Sequence, residues 1–124
     1  MTTHPADVVR RLFERMEARD WAGAGEVVAP GAVIEWPATG ERFTGTGFVA
    51  MNAAYPEGWS ITVDDVVGTG DRVAALVTVA HPPEVHRCAG FYTVWDGRIS
   101  GGVELWVTAS SEDPPAWRQP HRSP

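Results

Sequence analysis

The sequence predicts an α+β fold, with helices gathered on one face of an antiparallel sheet, and three observations carry that expectation. Near the start, Val9, Leu12, Phe13 and Met16 fall at helical spacing and form one apolar stripe. From Trp59 onward the apolar period drops to two, as in half-buried strands. Between two of these alternating runs stands Asp96-Gly97, the strongest hairpin signal in the chain. A tight primed turn needs positive φ at both central residues, and this pair supplies it.

Taken in order, Thr3 can cap the first helix, with Pro5 in its first turn and Asp7 near its positive end. Asp20 caps a short second helix, Trp21 to Val28, which Pro30-Gly31 ends. Ala32 to Trp36 reads as a brief strand stopped by Pro37, and 38–47 as a glycine-punctuated loop. Thr46 can cap a third helix, Gly47 to about Tyr55, with Phe48, Met51 and Tyr55 on one side. Strands follow at Trp59–Val67, Arg72–His81, His86–Trp95 and Arg98–Thr108. Asp64-Asp65 breaks the alternation and marks a bulge or an edge. The tail, 110–124, is rich in proline and polar residues, with Trp117 as its anchor, and the whole chain, 1–124, reads as one domain.

Composition narrows the function. With 124 residues, 44% apolar and 21% charged, the chain can bury one real core. Its formal net charge is −6 and all ten basic residues are arginine. That balance argues against nucleic acid and anionic membrane as partners. Arg10, Arg11, Arg15 and Arg19 cluster, but Glu14 and Glu17 sit among them, as on a solvated helix face. The start has no secretion-signal pattern, and no apolar run approaches membrane-spanning length. Cys88 is the only cysteine, so no internal disulfide forms, and a cytoplasmic location is expected.

Chemistry concentrates on the last hairpin. A regular two-residue turn at Asp96-Gly97 sets Phe91 opposite Gly102, Ala89 opposite Glu104 and Arg87 opposite Trp106. Glu104 then shares a face with Phe91, Trp106 and Arg87, and the small Ala89 and Gly102 leave room for a ligand. Burial would raise the Glu104 pKa toward neutrality, whereas an Arg87 partner would keep it ionised. The plainer alternative is an exposed cross-strand ion pair. A bulge hidden at Gly101-Gly102 would flip the outer half of the strand. Both hairpin faces are substantially apolar, so helices should cover one and a second subunit the other, giving a homodimer packed through its sheet.

The remaining candidates are weaker. His4, His81, His86 and His121 are scattered without ligand spacing, so no metal is expected, and His81 and His86 read as surface loop histidines. Cys88, on the hairpin face opposite Glu104, reads as packing. No glycine-rich phosphate loop follows a strand, and no cofactor is implied. Trp36, Trp59 and Trp106 are the tryptophans placed nearest a ligand.

Several segments together resemble the nuclear transport factor 2-like superfamily, in particular its SnoaL-like and limonene epoxide hydrolase-like members. They are Ala32-Val33-Ile34-Glu35-Trp36-Pro37, Gly70-Asp71-Arg72-Val73-Ala74, Asp96-Gly97-Arg98-Ile99, Glu104-Leu105-Trp106 and Pro114-Pro115-Ala116-Trp117-Arg118. The resemblance implies a cone of helices on a strongly curved, mixed but mainly antiparallel sheet, an internal pocket, and dimerisation through the sheet. It implies that Glu104 points into that pocket, where the hairpin register makes Arg87 its polar partner. Phe13, Trp36, Tyr55, Trp59, Phe91 and Trp106 would form the pocket wall.

The epoxide hydrolase-like members carry an arginine and a second carboxylate on the strand matching Ala75–Val79, and here that strand is Ala-Leu-Val-Thr-Val. The ketosteroid isomerase positions fall near Trp36, Leu12 and Gly90 or Phe91, which differ in type. The function implied is a cofactor-independent enzyme acting on a hydrophobic, oxygenated small molecule by carboxylate chemistry. It would be of the cyclase, isomerase, dehydratase or hydrolase kind. The alternatives are a non-catalytic ligand-binding module and a dimerisation domain of the same fold.

Overall fold

The computed structural model describes residues 4–124. Helix α1, Pro5–Glu17, buries Val8, Val9, Leu12, Phe13 and Met16, the stripe its spacing predicts. Its cap is His4, whose ring nitrogen accepts from the Ala6 amide at 3.2 Å; Thr3 lies outside the described residues. The helix ends on Arg19 in the left-handed region, φ 59°, with Arg19 N–H donating to the Met16 carbonyl. Helix α2, Trp21–Glu26, starts on Asp20, which accepts from the Gly23 amide at 2.9 Å.

Strand β1 runs from Val28 to Trp36, so Pro30-Gly31 lies inside a strand and does not separate elements as expected. A register irregularity between Val28 and Val33 absorbs them. The segment expected to be a loop forms a hairpin: β2, Glu41–Thr44, pairs antiparallel with β1 across a turn at Gly40, φ 77°. Helix α3, Gly45–Ala54, follows at once, capped by Thr44 and not by Thr46. Strands β3 (Ser60–Thr69), β4 (Arg72–His81), β5 (Glu84–Trp95) and β6 (Arg98–Thr108) complete an open sheet of order β2-β1-β6-β5-β4-β3. Only β1 and β6 run parallel; every other neighbouring pair is antiparallel. The helices pack on one face, where Leu12, Phe48, Ile34, Val77, Tyr92 and Ile99 form the centre of the core.

Two bulges govern what each face presents. Asp64 is the extra residue on β3, as the broken alternation suggests. On β6, Trp95 pairs with Arg98 and Val94 with Ile99, but Thr93 then pairs with Gly101, leaving Ser100 unmatched. Asp96 and Gly97 take the positive φ values of the expected turn, 51° and 75°. The hairpin therefore starts in the anticipated register and leaves it within two pairs. The tail carries a 3₁₀ turn, Ala116–His121, and Trp117 does not anchor it, being 72% exposed beside Arg118. No described helix is long and apolar enough to cross a membrane.

Candidate functional site

Between the helices and the inner sheet face lies a cavity of about 340 Å³, in the range of small-molecule sites. Phe13 and Met16 of α1, Phe48 and Met51 of α3, and Ile61 and Val79 of the sheet make its wall apolar. Of the residues placed at the pocket from sequence, Phe13, Trp36, Tyr55, Trp59, Trp106 and Glu104 all line it.

Glu104 is the only charged side chain buried among the described residues, at 2% exposure. Its Oε2 accepts from the Tyr92 hydroxyl at 2.6 Å. Its Oε1 accepts from the indole N–H of Trp36 at 3.0 Å and of Trp106 at 3.3 Å. Burial raises the carboxyl pKa above its ordinary value, and the three donors pull it back only in part. None of the three is cationic, so no counter-charge holds the acid ionised. Tyr92 is likewise pushed well above the ordinary phenol range, by burial first and then by the neighbouring carboxylate.

Local structure explains how three donors converge. The parallel pairing of β1 with β6 sets Glu35 opposite Val103, which brings Trp36 alongside Glu104. Trp36 is held there by edge contacts with Phe43, 5.0 Å between centroids, and with Trp106, 6.2 Å. Tyr92 pairs with Gly102, and Gly90 pairs with Glu104. A Cβ at Gly90 would collide with the Tyr92 phenol, and one at Gly102 would come within 2.8 Å of the same ring. The two glycines thus let the tyrosine lie flat along the sheet and reach the carboxylate.

The bulge at Ser100 corrects several expectations. Beyond it each β6 residue is shifted by one, so Glu104 joins Cys88, Gly90 and Tyr92 on the inner face. Arg87 pairs with Val107 on the outer face and bonds to Asp64 at 3.3 Å, not to Glu104. Phe91 is also on the outer face, 47% exposed and outside the cavity. Cys88 stands on the same face as Glu104, fully buried, its thiol pushed far up by burial and then by the carboxylate. Such a thiol is inert packing.

The histidines differ from the expected surface pair as well. His86 lines the cavity and bonds to the Thr108 hydroxyl at 2.9 Å, whereas His81 meets the Tyr55 hydroxyl at 2.7 Å. Among the described residues no three His, Cys, Asp or Glu side chains gather as a metal site. Tyr92, His86, Phe48 and Met51 were not placed at the site from sequence. The Gly90-x-Tyr92 spacing opposite Gly102 is the signal that could have found Tyr92.

Helices over one face of an open six-stranded mixed sheet, with a cavity between them, are the architecture of the nuclear transport factor 2-like class. Residues 9–101 match the model of the SnoaL-like domain, and the chain belongs to that family. No match was found among curated proteins. A solved structure from Kribbella flavida, described as a candidate ketosteroid isomerase, is similar over 97% of this chain and 88% of its own. Its TM-score is 0.86 and its identity 25%. IdmH of Streptomyces antibioticus, described as a candidate polyketide cyclase, matches over 86% of this chain and 92% of its own, with TM-score 0.71 and 24% identity. An NTF2-like protein from Burkholderia xenovorans reaches TM-score 0.78 at 14% identity, covering 97% of this chain and 94% of its own. The last two likenesses are of fold alone.

Proposed function

We propose that this SnoaL-like chain is an enzyme for a hydrophobic, oxygenated small molecule, with Glu104 as its acid-base group. The observation that carries the reading is a fully buried carboxyl lining an apolar cavity and held by neutral donors only. A buried acid without a counter-charge costs stability, which is the usual mark of a group kept for function. A carboxylate offers about four lone-pair positions. Trp36 and Trp106 occupy both on Oε1 and Tyr92 one on Oε2, which leaves one on Oε2 for a substrate proton.

From that position Glu104 can take a proton from a carbon activated by a neighbouring carbonyl and return it to another atom of the same molecule. Isomerisation, cyclisation and elimination of water all fit this chemistry, and none consumes a cofactor. Arg87 takes no part in it. The likeness to a candidate isomerase at 25% identity supports the reaction class.

Glu104→Gln preserves size and the two indole bonds while removing the base. Turnover should fall by at least about 100-fold with ligand affinity retained. Unchanged turnover would remove Glu104 from the chemistry. Retained binding in a wild type without turnover on any oxygenated substrate would favour the non-catalytic binding module.

The outer sheet face supports a homodimer. Leu76, Ala89 and Leu105 form one cross-strand row, and Ala74, Phe91 and Val103 the next. Leu76, Phe91 and Leu105 are 38%, 47% and 44% exposed, an apolar patch suited to self-pairing across a two-fold axis. The unpaired, buried Cys88 fits work in a reducing, cytoplasmic compartment, as one domain over 1–124.

A further inference from the structure

His86 lines the cavity and has no part in the chemistry assigned to Glu104. The other titratable side chain of the lining, Tyr55, has its hydroxyl committed to His81 at 2.7 Å. His86 stands on the inner face of β5, between Val79 of β4 and Thr108 of β6 in the ladder. Its Nδ1 bonds to the Thr108 hydroxyl at 2.9 Å, which fixes the plane of the ring.

Nε2, at the far end of the ring, has no hydrogen-bond partner among the described residues. It is not sealed off either, because the only occluded side-chain nitrogen or oxygen left unpartnered there is Trp59 Nε1. Side chains of a strand stand roughly perpendicular to the sheet. The base of the His86 ring is therefore turned to the sheet and Thr108, and Nε2 to the space that the cavity occupies. Nε2 can also take either role. A threonine hydroxyl both donates and accepts. When it donates to Nδ1, Nε2 carries the proton and donates; when it accepts from Nδ1, Nε2 is an acceptor. A ligand hydroxyl complements both forms.

The register sets the distance of this group from the acid. Glu104 pairs with Gly90, Trp106 with Cys88 and Thr108 with His86, so the three β6 residues follow one another along the inner face. From Gly90 to His86 is about 13 Å of strand, at about 3.3 Å per residue. Glu104 and His86 thus stand at opposite ends of a floor made by the Trp106 indole, too far apart to share one functional group.

We propose that His86 Nε2 recognises a hydroxyl at the end of the ligand remote from Glu104. This rests on the reading of the cavity as a ligand site and adds a second polar requirement to it. Glu104 acts at one end of the molecule and His86 holds the other. The substrate class narrows to elongated, apolar molecules that carry a hydroxyl opposite the reacting carbon.

The test compares 6-hydroxy-2-acetylnaphthalene with 6-methyl-2-acetylnaphthalene, which matches it in size and lacks the hydroxyl. Affinity is measured by calorimetry on the full chain. The imidazole nitrogens are followed by ¹⁵N NMR, with the His86 signals assigned by their loss in His86→Phe. The hydroxy ketone should bind about tenfold more tightly than the methyl ketone, and it alone should shift the His86 Nε2 resonance. In His86→Phe the preference should fall below about twofold. If that variant does not fold, His86→Leu serves for both the assignment and the comparison. A preference that persists without the imidazole, or equal binding of both probes to the wild type, would overturn the proposal and leave the cavity reading intact. Failure of both probes to bind the wild type would overturn the cavity reading and the proposal with it.

Discussion

The two faces of the β5–β6 hairpin are built from alternate residues of the same strands, yet they solve opposite problems. The inner face carries Gly90, Tyr92, Glu104 and Trp106, and it buries an acid completely. The outer face carries Arg87, Phe91, Leu105 and Val107, and it leaves large apolar side chains half in water. Its charge, Arg87, is neutralised by Asp64 at the surface, where an ion pair contributes little. Polar where it should be apolar, and apolar where it should be polar: each face departs from the ordinary rule of burial, and each departure points to a partner. The proposed function gives the inner face a small molecule and the outer face a second copy of the chain.

The largest effect that separates the faces should come from Gly90→Ala. Its methyl group would drive the Tyr92 phenol off the sheet and away from Glu104, costing about 3 kcal/mol in denaturant unfolding. A cost below about 0.5 kcal/mol would mean that the tyrosine does not lie where it is described. Next is Leu105→Glu on the outer face. Across the two-fold axis of the proposed dimer the new charge would meet its own copy, weakening that dimer by about 100-fold in analytical ultracentrifugation and leaving Glu104 chemistry unaltered. A wild type that sediments as a monomer at micromolar concentration would break this half of the comparison. Smallest is Arg87→Ala. The side chain is half-exposed, so stability should change by less than about 0.5 kcal/mol and turnover hardly at all. A large loss of turnover would return Arg87 to the site.

The sequence made the helix stripe and the alternating strands legible, because both depend on neighbours within a few residues. Val9, Leu12, Phe13 and Met16 are buried as their spacing implies. Asp96-Gly97 forms the turn that its φ requirement dictates. Pairing between distant segments was not legible in the same way. Trp36 reaches Glu104 across 68 residues of chain through a parallel ladder, which no local pattern encodes. One unmatched residue, Ser100, reversed the facing of all that follows it on β6 relative to β5, because strand side chains alternate with period two. Glu104 kept its place as the pocket acid, while Arg87 and Phe91 lost theirs. The hairpin reading and the resemblance both pointed to Glu104, and the bulge decided its companions.

Direct titration of the Glu104 carboxyl, by ¹³C NMR of side-chain-labelled protein against Glu104→Gln, tests the central claim most directly. Burial should set its midpoint above the ordinary glutamate value, with Tyr92→Phe raising it further by removing a donor to the ionised form. The sign carries over to stability. The folded chain holds a proton that the unfolded chain has released. Wild-type stability should therefore be fully present below the ordinary glutamate pKa and decline as pH rises through the raised value. The slope should be at most about 1.4 kcal/mol per pH unit, and Glu104→Gln should lack this component. A midpoint at or below the ordinary glutamate value, with no such decline, would contradict it: Glu104 would then be an ordinary ionised carboxylate held by its three donors, and the cavity would hold no poised acid.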